Sequence, residues 1–391
     1  MFIVCSLSDR YLYKLVDINK IKGDRMDIFK NKEILDMDYI PESELLVHRE
    51  KELSEVKPLF DSIEKGHSNL VCYGFAGTGK TAILKFLMRE HRLKPNERII
   101  YINHSTNPTE LQAVSEVLNQ LGIKARGRFL NVFYRTLGEV IKNYDLKMLV
   151  ILDEVDRLIE RAGDSFIYNL LEMGNITLIM VTNNVMCLDK IEPRTKSRLG
   201  LNRLLFPTYD ANKMGDILNR RAEKAFKEGV LEYSVVPRIA AMTAQEHGDA
   251  RKALALLKNC GEIAERMNVP IIDTKLIELA DDISQYGEVE SIVKSYSNQV
   301  KIALKSVLNV IERNSVIDAS LSEIYGEYVR ITTDMGVKTV SERRVSDFIW
   351  DLDNAGITHT KFSTRKSGKE MVVRLGIPLK VIRKIMEKEL Y

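Results

Sequence analysis

Cysteine is scarce and scattered in this chain. Its 391 residues hold four, Cys5, Cys72, Cys187 and Cys260. They form no C-x-x-C pair and no His/Cys cluster, so spacing offers neither a zinc site nor a disulfide framework. Two of them sit in apolar runs and read as reduced core residues of a cytosolic protein. Long apolar runs are also missing: none could span a bilayer, so no membrane partner is expected. The apolar start, residues 1–5, is too short for the core of a signal peptide. There is no low-complexity segment and no internal repeat. Neither sign of charge dominates. A net charge of +3 neither demands nor excludes nucleic acid, and the placement of the charges has to decide. The 45% hydrophobic content is ample for cores, and the length points to two or three domains.

Against this background one stretch stands out. Gly74-Phe75-Ala76-Gly77-Thr78-Gly79-Lys80-Thr81 is G-x-x-x-x-G-K-T, the phosphate-binding loop of nucleoside triphosphatases. An apolar strand-like run precedes it, and a helical run beginning Thr81-Ala82 follows. Gly74, Gly77 and Gly79 let backbone N–H groups curl around phosphate oxygens, and the helix points its positive end at the same anion. Lys80 is expected to reach the β- and γ-phosphates, and the Thr81 hydroxyl to ligate Mg²⁺. The cofactors expected are therefore ATP or ADP with Mg²⁺.

Short apolar strands alternate with helical segments from here to about residue 206. They are expected at 99–102, 148–152, 176–182 and 203–206, which predicts a parallel sheet covered on both faces. The run at 148–152 closes on Asp153-Glu154, a Walker B pair. Asp153 is expected to hold Mg²⁺ and Glu154 to act as general base toward the attacking water. Asn183, at the end of the next strand, would lie beside the γ-phosphate. Ahead of the sheet, Pro41 and Pro58 are expected to bound a helix, and Ile40 and Val47 are either adenine contacts or plain core. Residues 1–25 read either as an extension or as a short helix packed on the nucleotide domain. Between the second and third strands an insertion of two helical runs is joined by a basic turn, 122–128, that carries Lys124, Arg126 and Arg128.

Beyond Tyr209 the pattern is helical, which predicts a lid, and Arg251 near a helix start could swing toward the nucleotide. From about residue 296 the order becomes helix, helix, helix, then a β-hairpin. That is the order of a winged helix-turn-helix. The hairpin carries Lys361, Arg365, Lys366, Lys369 and Arg374 against a single Glu370. The expected recognition helix opens Ser341-Glu342-Arg343-Arg344. A basic hairpin tip beside a basic helix start is an electrostatic footprint for duplex DNA.

Taken together these motifs resemble the archaeal replication initiators, AAA+ ATPases related to the eukaryotic origin recognition complex subunits and the helicase-loading factor. The residues that carry the resemblance, over roughly 38–391, are His48-Arg49-Glu50, the phosphate loop, Asp153-Glu154-Val155-Asp156 and Thr182-Asn183. To these are added 193–199, Phe206-Pro207-Thr208-Tyr209, Gly248-Asp249-Ala250-Arg251-Lys252-Ala253-Leu254 and Ser341-Glu342-Arg343-Arg344. The resemblance implies an AAA+ base domain over 1–207, a helical lid over 208–295 and a winged helix over 296–391. It places Tyr209 and Arg221 in the nucleotide pocket and makes Arg251 the second sensor. It makes Arg198, ahead of Arg194, the finger that reaches a neighbour's nucleotide. It assigns Lys124, Arg126 and Arg128 to a second DNA contact. Asn184 departs from the acidic residue usual after the sensor amide. The implied function is an ATP-controlled initiator that binds double-stranded origin DNA, works with other initiator subunits and the replicative helicase, and resides with the nucleoid. A DNA-stimulated motor or clamp-loader-type ATPase, and an ATP-dependent transcriptional regulator, are the alternatives.

Overall fold

A computed structural model describes residues 27–63, 68–124, 129–365 and 368–389. They fall into two compact units that meet at Ala280 and Asp281. In the first, α1 (Glu50–Asp61) leads into β1 (Leu70–Tyr73), and α2 (Lys80–Glu90) follows the phosphate loop. Next come β2 (Glu97–Asn103), the inserted pair α3 (Glu110–Gln120) and α4 (Leu130–Asn143), and β3 (Lys147–Asp153). Then α5 (Val155–Ala162), α6 (Ser165–Glu172), β4 (Ile176–Thr182), α7 (Pro193–Leu199) and β5 (Asn202–Leu205) complete the base. All five strands are parallel, in the order β2-β3-β4-β1-β5.

The strand period of two decides which helices cover which face. Val71, Ile100, Val150 and Leu178 point into a core with α3 to α6, where Val114, Leu137, Leu158 and Phe166 are buried. Their neighbours Cys72, Leu149, Ile151 and Ile179 point the other way, against Val56 and Phe60 of α1 and Ile83 and Leu84 of α2. Pro58 does not end α1, as its sequence position suggested, but lies inside it. It sits beyond the helix middle, so one lost N–H bond is offset by Leu59 and Phe60 entering the core. Cys72, Cys187 and Cys260 are buried free thiols, and burial pushes the Cys72 thiol up to about 12.

The lid of this unit is α8 (Ala211–Ala225), α9 (Val235–Gln245) and α10 (Ala250–Met267), followed by the first turns of α11 (Thr274–Ser295). Capping places these starts: Asp210 accepts from the Lys213 N–H, and Asp249 accepts from the N–H groups of Arg251 and Lys252.

The second unit begins within α11, whose Val289 and Val293 belong to its core. The two compact units divide at 280/281. It contains α12 (Asn298–Asn314), β6 (Asp318–Ser320), α13 (Leu321–Asp334), α14 (Glu342–Asn354), β7 (Thr358–Arg365), β8 (Gly368–Leu375) and α15 (Leu379–Glu389). The sheet is antiparallel in the order β6-β8-β7. The short strand β6 and the closing helix α15 were not foreseen. The hairpin strands also reach further toward the tip than the apolar residues alone suggested, because ladder pairing continues through Arg365 and Gly368. No described helix is long and apolar enough to cross a membrane.

Candidate nucleotide site and DNA-binding elements

A cavity of about 370 Å³ opens at the carboxyl ends of the parallel strands. Gly77, Thr78, Gly79, Lys80, Thr81 and Ala82 form its floor, Asp153, Glu154 and Asn183 one wall, and Tyr209, Arg221 and Arg251 another. Ile40 and Val47 line it as well. Gly74 does not line it; its carbonyl accepts from the Lys80 ammonium at 2.8 Å, and the Phe75 carbonyl does so at 2.7 Å. Burial first, and the neighbouring Arg251 charge second, lower Lys80 to about 8.

The loop glycines answer to the protein as well as to phosphate. Gly77 has φ of 71°, and a Cβ there would lie 1.7 Å from the Asp249 carboxylate. A Cβ on Gly74 would meet the Phe206 carbonyl at 2.3 Å. The start of α10 is thus seated directly on the loop, with the Ala250 N–H donating to the Gly77 carbonyl at 3.3 Å. The Phe75 and His247 rings stack with centroids 5.5 Å apart.

The Thr81 hydroxyl donates to Asp153 Oδ2 at 2.8 Å. Two oxygen donors this close suit a hard cation that takes its other ligands from water and phosphate, as Mg²⁺ does. Tyr101 also donates to Asp153 Oδ2, at 2.6 Å; burial and that carboxylate raise its pKa. Glu154 caps α5 with φ of 53°, a left-handed value that is strained for a non-glycine residue. Its carboxylate accepts from Ser105 Oγ at 2.5 Å and pairs with Arg157 Nε at 2.7 Å. Asn184 caps the turn Val185–Lys190 by accepting from the Met186 N–H, so the amide fills the capping place an acidic residue could take.

Arg49 was quoted from the sequence but given no role. It is 3% exposed. Its Nε donates to the Thr78 carbonyl and the Tyr209 hydroxyl, both at 2.9 Å, and its Nη1 pairs with Glu52 at 2.9 Å. Its guanidinium lies 4.1 Å from the Tyr209 ring centroid. It therefore ties the phosphate loop to the entry of the lid. Nothing in a lone arginine before a helix distinguishes it from a surface one. Tyr101 was equally hidden, as one aromatic in an apolar strand. Arg221 donates from Nη1 to the Ile34 carbonyl at 2.7 Å, and its buried Nε has no protein partner.

A nucleotide fits these residues: the phosphate loop, a buried ammonium and an oxygen pair for a cation line one cavity, and Arg221, on its wall, has a buried guanidinium nitrogen without a protein partner. Arg194 and Arg198 lie elsewhere, on α7, with guanidinium carbons 4.8 and 5.5 Å from the Tyr168 ring centroid. Arg198 pairs with Glu172 at 2.5 Å, Arg194 with Glu192 at 2.7 Å, and neither lines the cavity of its own chain.

Of the DNA-binding candidates, Arg343 and Arg344 are exposed in the first turn of α14, and Arg344 reaches Asp347 at 3.5 Å. Lys361 and Arg374 both engage Asp318 at 2.8 Å, which holds that carboxyl at about 2. Part of the wing's basic charge is therefore spent within its own sheet. Arg365 and Lys369 occupy the last and second ladder positions before the tip, and only their backbone is described. Lys124 is exposed just beyond the end of α3, inside the insertion. Arg126, Arg128, Lys366 and residues 1–26 lie outside the described residues.

Comparison with known families agrees across both units. The chain matches the models for an AAA domain over residues 63–185, the Cdc6 AAA+ ATPase-type lid domain over 215–282, and the CDC6 C-terminal winged helix domain over 291–385. It is 32% identical over 378 residues to the ORC1-type DNA replication protein of Pyrococcus abyssi, covering 92% of this chain and 90% of that protein. It is also 32% identical over 374 residues to ORC1-type DNA replication protein 1 of Sulfolobus acidocaldarius, covering 92% and 93%. Among solved structures, the Aeropyrum pernix ORC1 protein in complex with DNA superposes with a TM-score of 0.78 at 31% identity, over 93% of this chain and 97% of that one. With a phosphate loop, a lid seated on it and a winged unit each matched in order, the chain belongs to the family of ORC1-type DNA replication proteins, AAA+ initiators of the ORC1/Cdc6 type.

Proposed function

We propose that this chain is an ATP-controlled replication initiator that binds duplex origin DNA and helps recruit or load the replicative helicase. The observation that carries the reading is a nucleotide cavity closed by its own lid, in a chain whose second unit is a winged helix. Mg²⁺-nucleotide would supply a γ-phosphoryl group whose presence or absence distinguishes two states. Lys80 would neutralise the phosphates, Thr81 and Asp153 would hold the cation, and Arg251 would read the nucleotide from the lid. Glu154 would accept a proton from water once its carboxylate leaves Ser105 and Arg157. With the base engaged in this way, slow turnover is expected, as suits a switch. Asn183 would orient the γ-phosphate end, and Arg198 would complete the site of an adjoining initiator subunit. The wing, the first turn of α14 and the inserted loop would share the DNA.

Chromatin occupancy mapped across the genome tests this reading. An initiator concentrates at very few sites, at or beside the points where replication begins. Dispersed occupancy at many promoters would instead make the chain a transcriptional regulator.

A further inference from the structure

Residues 27–41 precede α1 and are fastened at each end to a different part of the first unit. At the lid end the Phe29 ring stacks on Phe226, centroids 4.8 Å apart. The N–H groups of Lys30 and Asn31 donate to the Ala225 carbonyl at 2.8 and 3.1 Å, and the Lys227 N–H donates to the Ile28 carbonyl at 3.0 Å. At the base end Arg89, on the helix that begins with Lys80, donates to the carbonyls of Ile40 and Pro41, both at 3.1 Å. Between these anchors Asp36 to Ile40 wall the nucleotide cavity, and the Arg221 guanidinium lies 5.0 Å from the Tyr39 ring centroid.

The lid is notched to receive this segment. Gly261 lies inside α10, where glycine costs about 1 kcal/mol relative to alanine. A Cβ there would lie 2.3 Å from Phe29 Cζ and 2.7 Å from Phe226 Cε1. The helix gives up propensity at the one place where the Phe29 ring enters.

We propose that Phe29, seated in the Gly261 notch, is a positioning residue for the nucleotide. It locks residues 27–41 as a strap from lid to phosphate-loop helix, and the strap governs how long nucleotide is retained. This rests on the nucleotide-binding reading above. Without the lock, the segment keeps the Arg221 hydrogen bond to the Ile34 carbonyl and the Asp36–Lys258 ion pair but loses its apolar anchor on the lid, so the cavity wall at 36–40 is held less firmly and nucleotide leaves more readily.

The test is the release rate of a fluorescent ADP from the full chain, measured by displacement with unlabelled ADP. Phe29→Ala should release it about tenfold faster, equivalent to about 1.4 kcal/mol. Gly261→Ala should do the same although it improves helix propensity, because its Cβ expels the ring. The double variant should be no faster than either single one, since both break one contact. Phe29→Leu, which keeps an apolar plug, should restore much of the retention. Wild-type release rates in both single variants, or additive effects in the double, would overturn the strap while leaving nucleotide binding intact. A wild-type chain that fails to hold the fluorescent ADP would overturn the nucleotide-binding reading itself, and the strap with it.

Discussion

Lys80 has a side chain whose charge is poised by its surroundings. Burial and Arg251 lower it to about 8, and bound phosphates favour the ammonium form. The direction follows from linkage: affinity for nucleotide is full below pH 8 and falls as pH rises above it, with a proton taken up on binding. Calorimetry at pH 7 and pH 9, in buffers of different ionisation enthalpy, measures this. Equal affinity with no proton uptake at pH 9 would contradict it. Lys80→Ala removes a charged hydrogen-bond donor worth about 1.5–3 kcal/mol, so ATP should bind roughly 10- to 100-fold more weakly. Glu154→Gln keeps the shape and loses the base, so binding should persist while hydrolysis stops. Normal hydrolysis in that variant would remove Glu154 from the mechanism.

At the scale of elements, two surfaces are expected to hold DNA. Phosphate contacts by Lys and Arg release counterions, and each adds to the salt dependence of binding. Replacing Arg365, Lys366 and Lys369 with Ala should weaken binding to every duplex and flatten the salt slope by roughly two to three units. Lys361 is paired with Asp318, so its own replacement should change the slope less than any one of those three. Arg343 and Arg344 open α14, where a side chain can reach base edges. Losing a guanine contact there should reduce preference for the cognate site by about 1–3 kcal/mol, leaving random duplex little affected. Changing Lys124, Arg126 and Arg128 together should weaken binding from outside the winged unit. Affinity against salt, on cognate and random duplexes, separates these effects. If the insertion triple variant binds like wild type, the winged unit alone grips the DNA.

For the whole molecule the question is what one copy can do alone. Neither Arg194 nor Arg198 lines its own cavity; both flank Tyr168 on the outer surface of the base. A finger used between subunits contributes nothing to its own pocket. Arg198→Ala should leave ATP binding by the isolated chain intact and slow hydrolysis only when copies assemble on DNA. Loss of ATP binding by the isolated variant would place Arg198 in its own site or in the fold.

The chemistry of this protein was legible wherever it depends on residues close in sequence. The phosphate loop, the Asp153-Glu154 pair at a strand end and the order of the winged elements are local patterns, because strand, turn and helix periods act over a few residues. The sequence alone could also separate a parallel sheet from the helical lid. Contacts between residues far apart were decided only by tertiary structure. Arg49 reads as a surface charge until folding puts it against Thr78 and Tyr209. Tyr101 reads as core until its hydroxyl meets Asp153. Gly77 reads as room for phosphate until Asp249 of the lid occupies the same space. Residues 27–41 carry no motif, since what makes them a strap is a notch 232 positions from Phe29, at Gly261 (261 − 29). Periodicity reports which face of an element is buried; it carries no information about which distant side chain closes over it.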